Sequence, residues 1–314
     1  MVAEQQQLVA AFFEQKQADG VQPSTAAEYR FTLNRFFAFL GDRPIDRAAV
    51  RSWTVAMQNE ERILKDGTVV KGLADRTIAK HLRGLKVYIR FVAAEKDEQP
   101  LKMGKYIVRT EKERLALTEP QIEQIDTYLH EWFPLKRRGN VQQHLRFWLL
   151  LETGARVREI LALKWSDVQL DKGTLKITTF KTGGYRHVGL SAAWKKLPEL
   201  LERVENKKGY LLYPLYSDPR RGKRISLTPG ARPFDYQGYR RYLTTLNNRV
   251  KLGFRFTAHD LRRTYITRML QSNIPIPTVA RMVGHKRWDT TRLYDKSTIE
   301  QDVELLRNMR QNGK

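Results

Sequence analysis

The junction between two predicted helices near the middle of the chain reads TGARVREI, residues 153–160. Gly154 permits the tight turn with which the first helix ends, and Arg156 then lies at the start of the next helix. The unpaired backbone N–H groups at a helix start favour an anion. The pattern therefore predicts an anion-binding turn, although an arginine in this position also fits an ordinary protein surface.

A second pattern of the same kind occurs further along the chain, where TAHDLR opens another helix at residues 257–262. Thr257 and Asp260 form a capping pair. His259 and Arg262 are three residues apart and share one face of that helix, so together they can bind a phosphate. Taken alone, His259 is better explained as a capping residue.

Three further polar residues complete the set. Lys181 lies near the tip of a hairpin that two short extended runs form around Gly183-Gly184. His285 follows a glycine at the end of a short helix, and Tyr294 comes nine residues after it. Each has an ordinary explanation when taken singly, as a turn lysine, a helix-end histidine or a core tyrosine.

Taken together and in this order, the residues resemble the tyrosine recombinase (phage-integrase-type) family. The resemblance covers nearly the whole chain, and the spacing from Gly-His to Tyr is its most specific part. The residues that carry it are Arg156, Lys181, His259, Arg262, His285 and Tyr294.

The resemblance implies an enzyme, a site-specific DNA recombinase that cuts and rejoins strands. Tyr294 would attack the scissile phosphate and form a covalent 3′-phosphotyrosine. Arg156 and Arg262 would hold the nonbridging oxygens, because a guanidinium binds phosphate in a fork. Lys181 would protonate the departing 5′ oxygen.

The remaining members have supporting roles in the same resemblance. His259 would assist proton transfer and bond the phosphate, and His285 would hydrogen-bond the phosphate. Glu159 would orient its neighbours and is not counted as catalytic. No cofactor and no metal are expected, because the six histidines show no H-E-x-x-H or other close ligand spacing.

The expected fold is mostly α-helical with a small β hairpin or sheet. An all-helical N-terminal domain, residues 1–105, resembles the family's core-binding domain. A basic linker follows at 106–116, and a mixed α+β catalytic domain of the tyrosine recombinase type occupies 117–314. Its C-terminal part, residues 295–314, is predicted to form a tail helix.

The charge of the chain predicts a polyanionic partner. Fifty-seven Lys and Arg against 34 Asp and Glu give a net charge of +23. In a predicted helix over residues 75–94, Arg76, Lys80 and Arg83 fall opposite the apolar side. We predict these three as DNA contacts, and a solvated surface explains them about as well.

Other classes of protein are disfavoured. The absence of cysteine excludes a disulfide framework and a thiolate zinc site. The first residues do not resemble a signal peptide, and no apolar run approaches the roughly 20 residues that span a bilayer. A soluble, cytoplasmic protein with no membrane partner is expected.

The expected partners are double-stranded DNA with specific sites and further copies of the chain. The resemblance implies a tetramer on two duplexes, joined through the tail at 295–314. Two other activities stay open on the sequence alone: a relaxing activity of the type IB topoisomerase kind, and a non-catalytic DNA-binding accessory protein.

Overall fold

The structure is a computed structural model that divides into two compact units, residues 1–113 and 114–314. It describes residues 2–64, 67–108, 116–137, 139–179, 183–190, 195–218, 223–225 and 229–294, with the backbone alone at 2–3, 216–218 and 223–225. The predicted tail at 295–314 lies outside the described residues, and so does Lys181. Most of the described chain is helical, as the sequence predicts.

The N-terminal unit contains four helices and a short hairpin within the described residues. In chain order these are α1 (Val2–Ala18), α2 (Pro23–Leu40), α3 (Arg47–Asn59), β1 (Glu61–Ile63), β2 (Val69–Lys71) and α4 (Asp75–Glu95). The sequence pattern predicts only helices for this unit. That prediction is wrong at residues 61–63 and 69–71, where the structure has a hairpin. Its strands have only three residues each and keep apolar side chains in solvent, with Ile63 77% exposed, so they lack the alternation that marks a half-buried strand.

Helix α4 buries the face that its periodicity predicts. Ile78, Leu85 and Ile89 are buried in the core of this unit. The opposite face carries exposed basic side chains, which include those of Arg76 and Arg83. A helix with one apolar stripe packs that stripe inward, so the basic side is left for solvent or for a ligand.

Within the described residues, the C-terminal unit combines helices with two small sheets, one of three strands and one of two. Its helices are α5 (Glu119–Trp132), α6 (Val141–Thr153), α7 (Val157–Leu161), α8 (Lys196–Glu202), α9 (Tyr236–Val250), α10 (Ala258–Gln271), α11 (Ile276–Val283) and α12 (Asp289–Arg292). Its strands are β3 (Val168–Gln169), β4 (Thr174–Thr179), β5 (Gly184–Gly189), β6 (Tyr216–Asp218) and β7 (Lys223–Ile225).

Helix α6 is the centre of this unit, and every one of its residues is buried. A helix that is buried all round must be covered on each side, and α8 and α10 pack against it. Strand β4 lies between β3 and β5, with Leu175 opposite Val188 in an antiparallel register. The predicted hairpin is therefore confirmed, and α11 packs against β5.

No helix in the described part of the chain combines the length and the apolar character that crossing a bilayer requires.

Candidate active site

Two helices of the C-terminal unit, α6 and α11, end in glycine turns that lie close together. Gly154 ends α6 with a φ of +58°, and Gly284 ends α11 with a φ of +68°, a backbone region that favours glycine. Arg262, in the first turns of α10, donates hydrogen bonds to the Gly154 carbonyl and, at 2.7 Å, to the Val283 carbonyl. A single buried guanidinium therefore joins the two turns.

Arg156 reaches the same two turns from the start of α7. Its Nη2 donates to the Gly284 carbonyl at 3.2 Å, and its Nη1 donates to Glu159 Oε1 at 3.0 Å. The backbone N–H of Arg156 donates to Glu159 Oε2 at 2.8 Å, which closes the first turn of the helix. About a third of the Arg156 side chain remains exposed, so it faces both the protein and solvent.

Arg186 on β5 is a member of this cluster that sequence reasoning missed. Its Nη2 donates to Glu159 Oε2 at 2.8 Å, and its Nε donates to the Met282 carbonyl at 2.8 Å. The only signal in the sequence is a basic residue in a strand, and such residues usually face solvent. Here the strand packs against α11 and turns Arg186 inward.

Two guanidinium groups, those of Arg156 and Arg186, thus bond to the Glu159 carboxylate, and the charge of Glu159 also acts on Arg262. Burial raises the pKa of the Glu159 carboxyl, but hydrogen bonds from Arg186 and Arg156 outweigh it and hold that pKa below its usual value. Burial and then Arg156 lower the pKa of Arg262 to about 10, against the opposing effect of Glu159. Three guanidinium groups against one carboxylate give the cluster an excess of positive charge that suits an anion.

His285 lies directly after the second turn. Its Nδ1 is 2.8 Å from the hydroxyl of Thr291, which is fully buried. Burial, followed by the charges of Arg262, Arg156 and Arg186, lowers the pKa of His285 to about 4. The imidazole is therefore neutral at physiological pH. When Nδ1 accepts the Thr291 hydroxyl proton, Nε2 carries a hydrogen that it can donate.

Tyr294 packs beside His285 at the end of α12. The two rings are stacked with centroids 6.4 Å apart and an angle of 17° between their planes. The guanidinium of Arg263 lies 5.2 Å from the centre of the tyrosine ring. The ring is partly buried against a small cluster that α10 and α11 form.

His259 is one of the residues that line a cavity beside the arginines. It is exposed at the start of α10, where the predicted capping pair is present, with Thr257 N–H donating to Asp260 Oδ2 at 2.8 Å. His259 lines a cavity of about 580 Å³ together with Arg156 and Arg262. The structure thus brings five of the six predicted residues to one region, and the sixth, Lys181, is not described.

The predicted basic residues of α4 belong to the other unit. The ammonium of Lys80 is 2.8 Å from Glu28 Oε1, so its charge is partly balanced. The Arg83 Nε donates to the Ala79 carbonyl of its own helix at 3.2 Å. Their predicted role in DNA contact stays a prediction.

The site has the chemistry for holding a phosphodiester and presenting a phenol to it. Charged donors on preorganised elements stabilise the negative charge that develops at phosphorus. The neutral imidazole of His285 offers a hydrogen-bond donor, and a phenol such as that of Tyr294 is a side chain that can act as an oxygen nucleophile.

Known proteins are similar to this chain in sequence or in fold. A curated relative, tyrosine recombinase XerA of Pyrococcus horikoshii, is 25% identical over 282 residues, which cover 90% of this chain and 86% of the relative. The Tn1549 transposon integrase (residues 82–397), solved with circular intermediate DNA, superposes with a TM-score of 0.66 and 17% identity over 96% of this chain and 98% of that one.

A lambda integrase tetramer bound to a Holliday junction gives a TM-score of 0.64 at 17% identity, covering 93% of this chain and 77% of that one. These structures share the fold that the sequence predicts. The sequence profile of the phage integrase family matches residues 116–301, which is more than half of the chain. The chain therefore belongs to the phage integrase family and is a site-specific tyrosine recombinase.

Proposed function

We propose that this recombinase cuts and rejoins double-stranded DNA at specific sites through a 3′-phosphotyrosine on Tyr294. The observation that carries the proposal is the meeting of Arg156, Arg262 and His285 at two glycine turns, with the Tyr294 ring stacked on His285. Four separate segments of the chain supply these groups, and such a convergence has no evident purpose in a protein that only binds DNA.

The proposed reaction is a pair of transesterifications. The Tyr294 oxygen bonds to the scissile phosphorus and loses its proton, while the bond from phosphorus to the 5′ oxygen breaks. The departing oxygen takes a proton and becomes a 5′-hydroxyl. A 5′-hydroxyl of the partner strand then attacks the phosphotyrosine and releases Tyr294. Each step exchanges one phosphoester for another, so the reaction needs no nucleoside triphosphate.

The two arginines have different surroundings and therefore different tasks. Arg262 is 5% exposed and is fixed by two backbone carbonyls, so its charge is held in place before the substrate arrives. Arg156 is more exposed and closes on a nonbridging oxygen from the solvent side. Both stabilise the charge that builds up on the phosphate in the transition state.

The remaining roles concern protons. His285 is neutral and donates a hydrogen bond to the phosphate through Nε2. His259, which lines the cavity beside the arginines, assists the transfer of the tyrosine proton. Lys181 protonates the departing 5′ oxygen, an assignment that depends on its place in the predicted hairpin.

The test uses supercoiled DNA that carries the sequences around this protein's own gene. Wild type, Tyr294→Phe and the control Tyr210→Phe are incubated with it and denatured in SDS. We expect a protein–DNA adduct that protease removes in wild type and in the control, and none in Tyr294→Phe. An adduct in Tyr294→Phe would show that another residue is the nucleophile.

The same assay separates the proposal from the two other activities. A type IB topoisomerase relaxes any supercoiled plasmid, whereas a recombinase forms the adduct only on DNA that holds its site. An accessory protein binds DNA and forms no adduct on any member of a wide DNA pool. Mapping the adduct then gives the site of cleavage.

We further propose that the active assembly is a tetramer on two duplexes. The lambda integrase neighbour is a tetramer bound to a Holliday junction, and exchange between two duplexes requires four cleavage events. The segment at 300–314 would join neighbouring subunits through its apolar residues Val303, Leu305, Leu306 and Met309. Deleting 300–314 is expected to leave single-site binding intact and to abolish assembly of the tetramer on DNA. Unchanged assembly would refute this role of the tail.

A further inference from the structure

A second cluster of chemically active side chains lies in the C-terminal unit and shares no residue with the active site. Asp126 and His130 are on α5, and His144 is on α6. One donor atom from each of the three lies within 4.8 Å of the other two. We propose that these residues bind a divalent transition-metal ion, specifically Zn²⁺.

His144 supplies the strongest argument. Its side chain is fully buried, and its Nε2 is 2.9 Å from the Phe133 carbonyl oxygen. A carbonyl oxygen only accepts, so Nε2 carries the hydrogen and Nδ1 has a bare lone pair. That Nδ1 is buried and has no hydrogen-bond partner among the residues that the structure describes, an arrangement that costs free energy in a folded protein.

The orientation of His144 is the one that metal ligands adopt. A histidine that binds a metal through one nitrogen commonly donates its other N–H to a backbone carbonyl or a carboxylate, which fixes the tautomer and the ring. The Phe133 carbonyl provides that support here. A bound cation would satisfy the unpartnered lone pair of Nδ1.

Asp126 and His130 complete the set from the facing helix. They are four residues apart and lie on one face of α5, with Asp126 Oδ1 3.7 Å from His130 Nε2. The Lys196 ammonium holds the other carboxylate oxygen, Oδ2, at 3.0 Å, and the Trp148 indole N–H donates to Oδ1 at 3.2 Å. The carboxylate is therefore already oriented, with Oδ1 turned toward the histidine.

An ion has a route to this cluster, since the His130 side chain is 48% exposed. The His130 and His144 rings lie 4.9 Å apart between centroids. Tetrahedral Zn²⁺ with bonds of about 2.1 Å holds its ligand atoms about 3.4 Å apart. The three donor atoms lie within 4.8 Å of one another, so binding requires the exposed His130 side chain to turn and bring its nitrogen closer, with a water molecule as the fourth ligand.

The donor chemistry selects the ion. Two imidazole nitrogens and one carboxylate oxygen suit Zn²⁺, whereas Mg²⁺ and Ca²⁺ prefer oxygen ligands alone. The positive charge of Lys196 beside Asp126 weakens the binding of any cation. We therefore expect a modest affinity that Lys196→Met increases.

The proposed ion would join α5 to the central helix α6. Because it binds the folded chain and not the unfolded one, it raises the melting temperature. At an ion concentration about 100 times its Kd, the expected rise is about 5 °C or more for a unit of this size. No reacting group of the recombinase site is involved, so the proposal is independent of the proposed function.

The experiment uses the full chain without a histidine tag, freed of metal with a chelator. ZnCl₂ is titrated calorimetrically into wild type, His130→Gln, Asp126→Asn and the control His187→Gln, an exposed histidine on β5. We expect one ion per chain in wild type and in the control, and Kd values at least about tenfold weaker in the other two variants. Circular dichroism verifies that each variant is folded.

Co²⁺ provides a second, spectroscopic measurement. Bound at this site it should give the visible absorption of tetrahedral coordination, which His130→Gln abolishes and His187→Gln preserves. His144→Gln is not used to decide the matter, because its buried position affects folding. Absence of binding in wild type, unchanged binding in His130→Gln, or loss of binding only in His259→Gln would each overturn the proposal.

Discussion

At the scale of single residues, Arg186 connects α7 to the C-terminal end of α11. Its guanidinium spans from the Glu159 carboxylate to the Met282 carbonyl and also approaches the Thr179 hydroxyl at 3.4 Å. Through Glu159 it acts on Arg156, and through Met282 it acts on the turn before His285. Arg186 is thus a positioning residue that is not expected to touch DNA.

Replacing Arg186 with lysine should slow cleavage without weakening DNA binding. A lysine ammonium keeps the positive charge. It cannot donate hydrogen bonds to the Glu159 carboxylate and the Met282 carbonyl at once, because its N–H groups all lie on one nitrogen, unlike those of the planar guanidinium. Displacements of about 1 Å in an active site can cost about 100-fold in rate, and we expect a loss of about 10- to 100-fold. The measurement is single-turnover cleavage at saturating protein, with melting temperature as a check of folding. His187→Gln on the same strand is the control, and a wild-type rate in Arg186→Lys would contradict this role.

His285 should make the stability of the fold depend on acidity. Its pKa is about 4 in the folded chain and 6.5 ordinarily, so between these values the unfolded chain binds more protons. Stability therefore falls as the pH falls from 6.5 toward 4. We expect His285→Gln to remove about 1–2 kcal/mol of that fall, after allowance for solvent screening.

Urea unfolding of wild type and His285→Gln at pH 7.5 and 4.5 measures this contribution. The depressed pKa values of His81 and His144 act in both proteins and cancel in the difference. A difference in unfolding free energy that does not change with pH would show that His285 titrates as an ordinary histidine.

At the scale of elements, the turn between α6 and α7 depends on the absence of a side chain. A Cβ on Gly154 would lie 2.4 Å from Cδ1 of the buried Tyr265 and 3.0 Å from a Val283 methyl. Gly173 has a similar φ of +60°, and its Cβ would have no neighbour within 4 Å. Alanine at Gly173 therefore introduces backbone strain alone, whereas alanine at Gly154 introduces the same strain and steric crowding.

Gly173→Ala is expected to lower the unfolding free energy by about 1 kcal/mol, the ordinary cost of a left-handed conformation. Gly154→Ala adds the displacement of a packed aromatic ring, which costs about 1–3 kcal/mol more. Urea unfolding of both variants gives the comparison. Equal losses would mean that Tyr265 moves aside without cost.

Elements that depend on local patterns could be predicted, and those that depend on distant partners could not. The apolar stripe of α4 and the capping pair of α10 are visible in the sequence because neighbours along the chain form them. The start of α8 depends on Glu152, a buried residue of α6 that accepts the Lys196 N–H at 2.7 Å. No local sequence pattern predicts that contact, because its two residues are far apart in the chain.

In the candidate site too, residues in local motifs could be predicted, and residues placed by distant partners could not. The family resemblance, carried by short motifs in a fixed order, predicts Arg156, Arg262, His285 and Tyr294 as site residues. Arg186 was missed because a strand residue's inward orientation depends on the helix that packs against it. The cluster of His144 with α5 was missed because 14 residues separate its two histidines, which matches no local ligand motif.

At the scale of the whole molecule, a net charge of +23 should govern DNA affinity. Each phosphate that a basic side chain neutralises releases condensed counterions, so the logarithm of the binding constant falls by about 0.9 per contact for each tenfold rise in salt. Fluorescence anisotropy with duplex DNA across a salt series should therefore give a steep slope. A flat response would refute binding through the phosphate backbone.

The same measurement of DNA affinity against salt can test the basic face of α4 with substitutions on that face. Arg76 and Arg83 are exposed opposite the buried side of the helix, and Lys80 on the same side pairs with Glu28 at 2.8 Å. If both arginines contact phosphates, Arg76→Gln with Arg83→Gln should reduce the salt slope by about 2. Lys80→Gln should change it less, because Glu28 already balances that charge.

Lys96→Gln is the matched control for this helix, since the Lys96 ammonium pairs with Glu4 at 2.7 Å. Loss of that ion pair on the surface has little effect on stability, and its charge is already balanced, so the salt slope should stay the same. A double arginine variant with the slope of the control would mean that the basic face of α4 is an ordinary solvated surface. A reduced slope with unchanged cleavage of bound DNA would mean that this face holds the duplex and leaves the chemistry to the C-terminal unit.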